Sequence, residues 1–140
     1  MNKITDFLEY FSFNIHPFIK QISFPCGGQI LMENSLNTCL YFMTNGRAKV
    51  YKTHKNGKVS IIEFLNAPAF VGELELIGVR EEAIGVKAIA KCDCFMLSIS
   101  ECKEMLLNDP VFLNYLCKYL GKKLFLLQIS LLSTSLIHYL

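Results

Sequence analysis

The chain has 140 residues, a formal net charge of +2 and a hydrophobic content of 52%. This length allows one domain with a substantial core, and the small net charge provides no strong basic field that would indicate nucleic acid binding. The mean hydropathy of +0.34 is high for a soluble monomer, so we expect a partner subunit to cover some apolar surface. Residues 1–9 mix charged and apolar side chains without the features of a secretory signal, which predicts a cytoplasmic protein.

The first half of the chain changes from a helical pattern to short strands. Apolar residues at helical spacing predict a helix over Ile4–Phe11. Asn45-Gly46 lies between two strand-like runs and predicts a hairpin. Many short strands with closely spaced turns predict a β-sandwich or a rolled-up barrel. The strand-like runs cover residues 29–32, 39–44, 47–54, 59–65, 84–90 and 92–98.

Three groups of residues along the chain have both structural and functional interpretations. The hairpin over residues 47–65 carries four lysines, which fit either a solvated strand face or a binding patch. Cys92 and Cys94 alternate on one strand and would share a buried face, and none of the six cysteines forms a CxxC pair. His16, His54 and His138 are too dispersed for a zinc motif, so neither a metal nor a catalytic nucleophile is predicted.

The segment Phe70–Ile77 places two acidic residues in apolar surroundings. Gly72 comes directly before Glu73, and a glycine allows a tight turn or the close approach of another group. Acidic side chains in such surroundings normally have a partner. The residues alone leave two interpretations open, a capped helical turn or a ligand cradle.

The last third of the chain has helical periodicity. Ser98-Ile99-Ser100-Glu101 has the spacing of a capping box and predicts a short helix through Leu107. Asp109-Pro110 predicts the start of a long helix that continues to about Leu132. Spacings of three and four residues define an a/d heptad seam, which indicates a homodimer. The residues of this seam are Leu113, Cys117, Leu120, Leu124, Leu127 and Leu131.

The long helix has two alternative explanations. A neighbouring stripe of Phe112, Leu116 and Tyr119 is expected to pack on the sheet of the same chain. A membrane span is the other explanation, but the apolar stretch over residues 124–140 is short and contains several polar residues. We therefore expect no membrane association.

The order of these parts resembles the sensor domain of the CRP/FNR regulators, and within that family it is most similar to the YeiL-type transcriptional regulators. The resemblance rests on Phe24-Pro25, Leu40-Tyr41-Phe42 leading to Gly46, Asn56-Gly57-Lys58 and Phe70-Val71-Gly72-Glu73-Leu74. It implies a mainly β fold with flanking α-helices, an antiparallel double-stranded β-helix (a jelly-roll-like β-roll) followed by a long C-terminal dimerisation helix. The implied segments are a helical segment at 1–22, a cyclic nucleotide-binding-like roll at 23–98 and the two helices at 99–140.

The resemblance also implies which positions would contact a cyclic nucleotide. Gly72, Glu73 and Leu74 match the turn that holds the ribose, whereas Glu82-Ala83 stands where the family has an Arg-Ser pair for the phosphate. Leu127 and Gln128 stand where cyclic AMP binders offer a Thr-Ser pair to the base. These departures predict a degenerate pocket, in which a lysine or backbone amides hold Glu73 while Glu75 faces solvent.

The resulting hypothesis is a dimeric, non-enzymatic, effector-sensing domain of a transcription regulator. Its effector is unknown or absent, and no cofactor is expected, since only Cys26 lies in the first 30 residues, where an iron-sulfur cluster would need a cysteine group. The winged helix-turn-helix that follows in the family is not in these residues, so no specific DNA binding is expected of them alone. The alternatives are a stand-alone interaction module and a cupin-type small-molecule-binding barrel, which would need inward-facing histidines.

Overall fold

A computed structural model describes the backbone of residues 3–139 and the side chains of residues 3–133. Within this range the chain forms eight β-strands and four α-helices. The strands are β1 (Lys20–Phe24), β2 (Gln29–Leu31), β3 (Cys39–Asn45), β4 (Arg47–Thr53), β5 (Val59–Asn66), β6 (Ala69–Val71), β7 (Gly85–Ala88) and β8 (Cys92–Ser98). The helices are α1 (Lys3–Leu8), α2 (Glu73–Leu76), α3 (Ile99–Leu107) and α4 (Pro110–Tyr139), with a short 3₁₀ turn at His16–Phe18.

The strands form two antiparallel sheets of four strands each. One sheet has the order β1-β8-β3-β6 and the other has the order β2-β7-β4-β5. Sequence neighbours are often split between the sheets, so the chain winds from one sheet to the other, as in a jelly roll. The predicted fold class, a mainly β roll followed by a long C-terminal helix, is therefore confirmed.

The prediction of a β-hairpin at Asn45-Gly46 is wrong. β3 pairs with β8 and β6, whereas β4 pairs with β5 and β7, so the two strands belong to different sheets. Both strands have partners on each side, which leaves no free edge for pairing with one another. Gly46 instead makes the corner between the sheets, with φ at 107° and its Cα so close to the backbone of Lys91 and Cys92 that a Cβ would clash.

The other strand predictions agree with the structure within a few residues, but two strands, β1 and β6, were not predicted. β4 and β5 form the predicted hairpin around the turn at residues 55–58, and β8 has the predicted bounds. β1 was missed, although Ile22 and Phe24 alternate with polar residues in it. It lies at a sheet edge and pairs only with β8, and most of its side chains are exposed, so its sequence lacks the apolar run of a central strand.

Backbone contacts divide the chain into two units, of which the first covers Ile15–Glu104 and contains both sheets. Its core consists of side chains from the inward faces of the strands, most of them aliphatic. Its buried side chains include Leu31, Leu40, Phe42, Met43, Val50, Leu65, Phe70, Val86 and Leu97. The Phe42 and Phe70 rings meet edge to face, with centroids 5.1 Å apart.

The second unit consists of the described residues of Asn2–Asn14 and Met105–Leu140. α1 ends at Leu8, three residues before the predicted end, and the chain continues in tight turns to Phe11. The Phe11 ring stacks on Phe112 with centroids 5.5 Å apart. Phe112 and Leu116 are buried, and Phe11 is an aromatic partner that the sequence had not indicated for this stripe.

Asp109 determines where α4 begins. Its Oδ1 accepts a hydrogen bond from the Val111 amide at 3.0 Å, which is the predicted N-cap, and its Oδ2 accepts one from the Ser12 amide at 2.9 Å. Burial raises the pKa of Asp109, but the hydrogen bonds from Ser12, Val111 and Phe112 outweigh this effect and lower it. One carboxylate therefore caps α4 and attaches the N-terminal segment to it.

The six cysteines are all free thiols. Cys92 and Cys94 are buried while Asp93 between them is half-buried, as the alternation predicted. Burial raises the pKa of the Cys94 thiol to about 12, so it stays protonated and unreactive at neutral pH. Cys26 and Cys117 are exposed.

α4 is longer than predicted, and none of the helices within the described residues is long and apolar enough to span a membrane. Its large apolar side chains from Leu124 to Leu132 are exposed to solvent. The exposed fractions are 56% for Leu124, 55% for Leu127 and 60% for Leu131. A helix with this much exposed apolar surface normally has a partner.

Candidate functional site

The candidate site is built around a glycine in the left-handed conformation. β6 brings the buried chain to Gly72, whose φ of 90° reverses its direction and starts the single turn of α2. A Cβ at this position would lie 2.5 Å from the Asn37 amide nitrogen and 2.5 Å from the Cys39 carbonyl oxygen. Both the conformation and the close approach require glycine here.

Asn37 connects this turn to the start of β3. Its Oδ1 accepts a hydrogen bond from the Cys39 amide at 3.0 Å, and its Nδ2 donates one to Glu75 Oε1 at 3.1 Å. The same side chain packs against Gly72. Asn37 therefore stabilises the turn through contacts with Cys39, Glu75 and Gly72. From the sequence, it was predicted only to lie in a polar loop.

The two acidic residues of α2 have different surroundings. Glu73 is 6% exposed, which is unusual for a carboxylate, and it interacts with other groups of the protein. Glu75 is half-buried and hydrogen-bonded to Asn37, so the prediction that it faces solvent is wrong. Burial raises the pKa of Glu75, and the hydrogen bond from Asn37 and the charge of Arg80 act in the opposite direction.

Glu82 and Ala83 lie on a strand-like bridge beside the loop before β3. Glu82 pairs with Leu36, and the Ala83 amide donates to the Ser35 carbonyl at 2.9 Å. Ala83 is buried, whereas Glu82 is exposed. The Arg80 Nε donates a hydrogen bond to the Glu82 carbonyl at 2.9 Å, so this guanidinium stabilises the backbone of its own loop.

The loop over residues 34–37 therefore touches both halves of the candidate site. Its Asn37 end contacts the Gly72 turn, and its Ser35 and Leu36 contact residues 82–83. The contacts of this loop were not predicted from the sequence. A short loop of polar residues and one leucine does not indicate which distant segment it contacts. The structure places Asn34 of this loop at φ 62°, a conformation that asparagine tolerates better than most residues, but an asparagine in a polar turn does not identify the contacts of the loop.

The remaining site positions lie on α4 in the second unit. Leu127 and Gln128 are both exposed there. Of the predicted seam, Leu113 and Leu120 are half-buried, and the other four residues are exposed: Cys117, Leu124, Leu127 and Leu131. Among the side chains of residues 3–133, no group of three His, Cys, Asp or Glu is arranged to hold a metal ion.

Comparison with known proteins identifies the family of this chain. Residues 21–109 match the cyclic nucleotide-binding domain family, and the chain belongs to this family. It is 43% identical over 94 residues to the regulatory protein YeiL of Escherichia coli O157:H7. This alignment covers 67% of the chain and 43% of YeiL, so the chain spans less than half the length of this relative.

Solved structures show the same fold. The catabolite activator protein of Thermus thermophilus superposes with a TM-score of 0.68 at 19% identity, over 95% of this chain and 61% of that protein. The sensor domain of the transcriptional regulator DNR from Pseudomonas aeruginosa gives a TM-score of 0.62 at 18% identity, over 76% of this chain and 71% of that domain. The predicted resemblance to CRP/FNR sensor domains, of the YeiL type, is confirmed, and the family is a regulatory one.

Proposed function

We propose that this chain is the effector-sensing part of a dimeric transcription regulator, with a cyclic nucleotide pocket that has lost its phosphate site. The observation that supports this best is the contrast between the two halves of the candidate site. The Gly72 turn keeps a buried Glu73, while Glu82 and Ala83 provide a carboxylate and a methyl group in place of a guanidinium and a hydroxyl. The scaffold persists, and the groups that bind a phosphate do not.

The expected loss of affinity for a cyclic nucleotide follows from these groups. A hydrogen bond to a charged group contributes about 1.5–3 kcal/mol, and an acidic side chain near a phosphate adds repulsion. Since about 1.4 kcal/mol corresponds to a factor of ten, the affinity falls by at least one to two orders of magnitude. The Arg80 Nε donates to the Glu82 carbonyl, which ties this guanidinium to the backbone of its own loop, so we do not expect Arg80 to replace the missing arginine.

Dimerisation through α4 is the second part of the proposal. Leu124, Leu127 and Leu131 expose more than half of their surface and lie on one side of the helix at heptad spacing. Burying each leucine contributes about 1.5–3 kcal/mol as an upper estimate. A seam of this length supports a homodimer.

The proposed mechanism is a population shift between two arrangements of the dimer. An effector bound by the roll stabilises one packing of Leu120, Leu124 and Leu127, and this packing sets the direction of whatever follows α4. Specific DNA contacts are not a property of these 140 residues in this proposal. The net charge of +2 supports this, because phosphate contacts dominate the affinity of DNA-binding proteins.

Calorimetry with cyclic AMP and cyclic GMP tests the degenerate pocket. We expect the unmodified chain to bind both nucleotides no more tightly than tens of micromolar. The double variant Glu82→Arg, Ala83→Ser restores a guanidinium and a hydroxyl, and we expect it to gain at least about tenfold in affinity for one of them.

Glu81→Arg is the matched control. Glu81 is also exposed and acidic, so this substitution makes the same charge change one residue away from Glu82. We expect it to gain less than threefold, as screened electrostatic attraction alone would give. Submicromolar binding by the unmodified chain would contradict the degenerate pocket. An equal gain in Glu81→Arg would show that charge, and not the position of residue 82, determines binding.

A further inference from the structure

The segment over residues 33–37, called the strap below, lies between β2 and β3 and connects three separate parts of the roll. Glu33, its first residue, binds Thr53, which is the last residue of β4. Asn37, its last residue, binds Glu75 in α2. The three residues between them contact residues 82–83. The strap therefore links both halves of the candidate site to the end of β4.

Glu33 uses both carboxylate oxygens to bind Thr53. Its Oε1 accepts a hydrogen bond from the Thr53 amide at 2.6 Å, and its Oε2 accepts one from the Thr53 hydroxyl at 2.7 Å. Hydrogen bonds to an ionised group are shorter and stronger than neutral ones. The hydroxyl and the amide of Thr53 lower the pKa of Glu33, the charges of Lys52 and His54 act in the same direction, and together they outweigh the effect of burial. Glu33 is therefore ionised at neutral pH.

The middle of the strap binds both backbone groups of Ala83. The Ala83 amide donates to the Ser35 carbonyl at 2.9 Å, and the Ala83 carbonyl accepts from the Asn34 amide at 2.9 Å. Ala83 stands where the family has the serine of its phosphate-binding pair. A ligand that reaches this position in the observed structure meets an amide that is already bonded to the strap.

Hydrogen bonds hold the strap in place, since burial contributes little. All five of its residues are exposed or half-buried, and Leu36, its one large apolar side chain, is 73% exposed. A segment with few buried apolar contacts and with hydrogen bonds near the surface opens locally at a low cost in free energy. Opening exposes the backbone groups of Ala83 to water, which can satisfy them. The strap can therefore leave residues 82–83 while the core of the roll stays folded.

We propose that the strap is an autoinhibitory contact over residues 82–83, and that Glu33 is the positioning residue that keeps it closed. This inference rests on the proposed function, because it concerns ligand access to the same site. A ligand that binds the amide of residue 83 competes for it with the Ser35 carbonyl. The closed strap opposes such binding, and its release from Thr53 favours it.

Amide hydrogen exchange of the full chain, measured by NMR without a ligand, tests whether Glu33 keeps the strap closed. We expect Glu33→Ala to speed the exchange of the Asn34 and Ala83 amides at least tenfold, because the strap opens more often. The amides between β3 and β8 should exchange at the rate of the unmodified chain, since the core stays closed. Unchanged exchange at Ala83 would overturn the proposal.

Substitutions of Thr53 test the same contact from its other side. Thr53→Val removes the hydroxyl, so we expect exchange at Ala83 to rise at least threefold, whereas Thr53→Ser keeps the hydroxyl and should leave it unchanged. Ser60→Ala is the matched control, because it removes a hydrogen bond of 2.6 Å to His54 Nε2 beside the same end of β4. Exchange at Ala83 that rises equally in Ser60→Ala would overturn the specific role of Glu33.

Calorimetry with the double variant Glu82→Arg, Ala83→Ser tests the autoinhibitory role, since residue 83 keeps its backbone amide in this variant. Adding Glu33→Ala should raise the affinity for cyclic AMP or cyclic GMP at least threefold, because the strap competes less. Equal or weaker binding would overturn the autoinhibitory role. If the double variant bound neither nucleotide, the proposed function would fail, and hydrogen exchange would still decide whether Glu33 keeps the strap closed.

Discussion

At the scale of single residues, the turn at Gly72 depends on atoms that leave no room for a side chain. The Cys39 carbonyl oxygen and the Asn37 amide both stand 2.5 Å from where a Cβ would be. The carbonyl belongs to the backbone at the start of β3, and Asn37 is fixed by hydrogen bonds at both ends, so neither can move cheaply. Position 72 therefore tolerates glycine alone.

We expect Gly72→Ala to lower the free energy of unfolding by about 3 kcal/mol or more, measured by urea denaturation. A left-handed conformation costs a residue with a Cβ about 1–2 kcal/mol, and the steric clash adds to this. Gly57→Ala is the matched control, because Gly57 has φ at 83° with no atom within 4 Å of the added Cβ. It should cost only the conformational part, and equal losses at both positions would show that the contacts of Gly72 are unimportant.

At the scale of secondary structure elements, the start of α4 depends on one carboxylate. Asp109 accepts hydrogen bonds from the amides of Val111 and Ser12, and it is buried. Without this side chain, both donors would lose their acceptor in a place with little water. The cap thus fixes the first turn of α4 and residue 12 together.

We expect Asp109→Ala to lower the free energy of unfolding by about 2 kcal/mol or more at pH 7, from the lost cap and the unsatisfied Ser12 amide. Because the folded pKa is below the unfolded value, the stabilisation is complete well above the usual pKa of about 3.9 and is lost as the pH falls through the lowered one. Denaturation midpoints between pH 7 and pH 2 measure this.

Asp109→Asn separates the cap from the charge. Asparagine keeps an oxygen acceptor for one of the two amides but does not titrate, so its loss at pH 7 should be smaller than that of Asp109→Ala. Both variants should lack this part of the acid-induced destabilisation. An acid profile identical to that of the unmodified chain would show that Asp109 contributes nothing to it.

Elements with strong local signals could be predicted from the sequence. The cap at Asp109 and the hairpin at Asn56-Gly57 are decided by neighbours in the chain, and both are present. Asn45-Gly46 has an equally strong local signal, but the pairing of β3 with β8 outweighs it, and a short-range motif carries no information on such distant partners. β1 was missed for the same reason, since its place depends on β8.

At the scale of the whole molecule, the order of elements was sufficient to predict the roll and the family, whereas the detailed arrangement of the site was not. The contacts of residues 34–37 with both Glu75 and Ala83 join segments about forty residues apart or more. Hydrophobic periodicity determines which residues are buried, but hydrogen bonds between loops have no period. The prediction that Glu75 faces solvent was wrong for that reason.

The association of whole chains can be tested on α4. We expect sedimentation of the unmodified chain at tens of micromolar to show a dimer, and Leu124→Glu to weaken it by at least about a hundredfold, because a charge enters the seam. Ile129→Glu is the matched control, since Ile129 is also exposed but lies roughly 140° around the helix from Leu124. A monomeric unmodified chain, or equal losses in both variants, would contradict the seam.

The free cysteines allow the same association to be measured without a mutation. Cys117 is exposed within the proposed seam, Cys26 is exposed outside it, and Cys92, Cys94 and Cys102 are buried. Alkylation in the native state should therefore modify Cys26 at a rate that is independent of protein concentration, whereas Cys117 should react more slowly as dimers form. The ratio of the two rates, read by mass spectrometry, would report how much of the protein is paired.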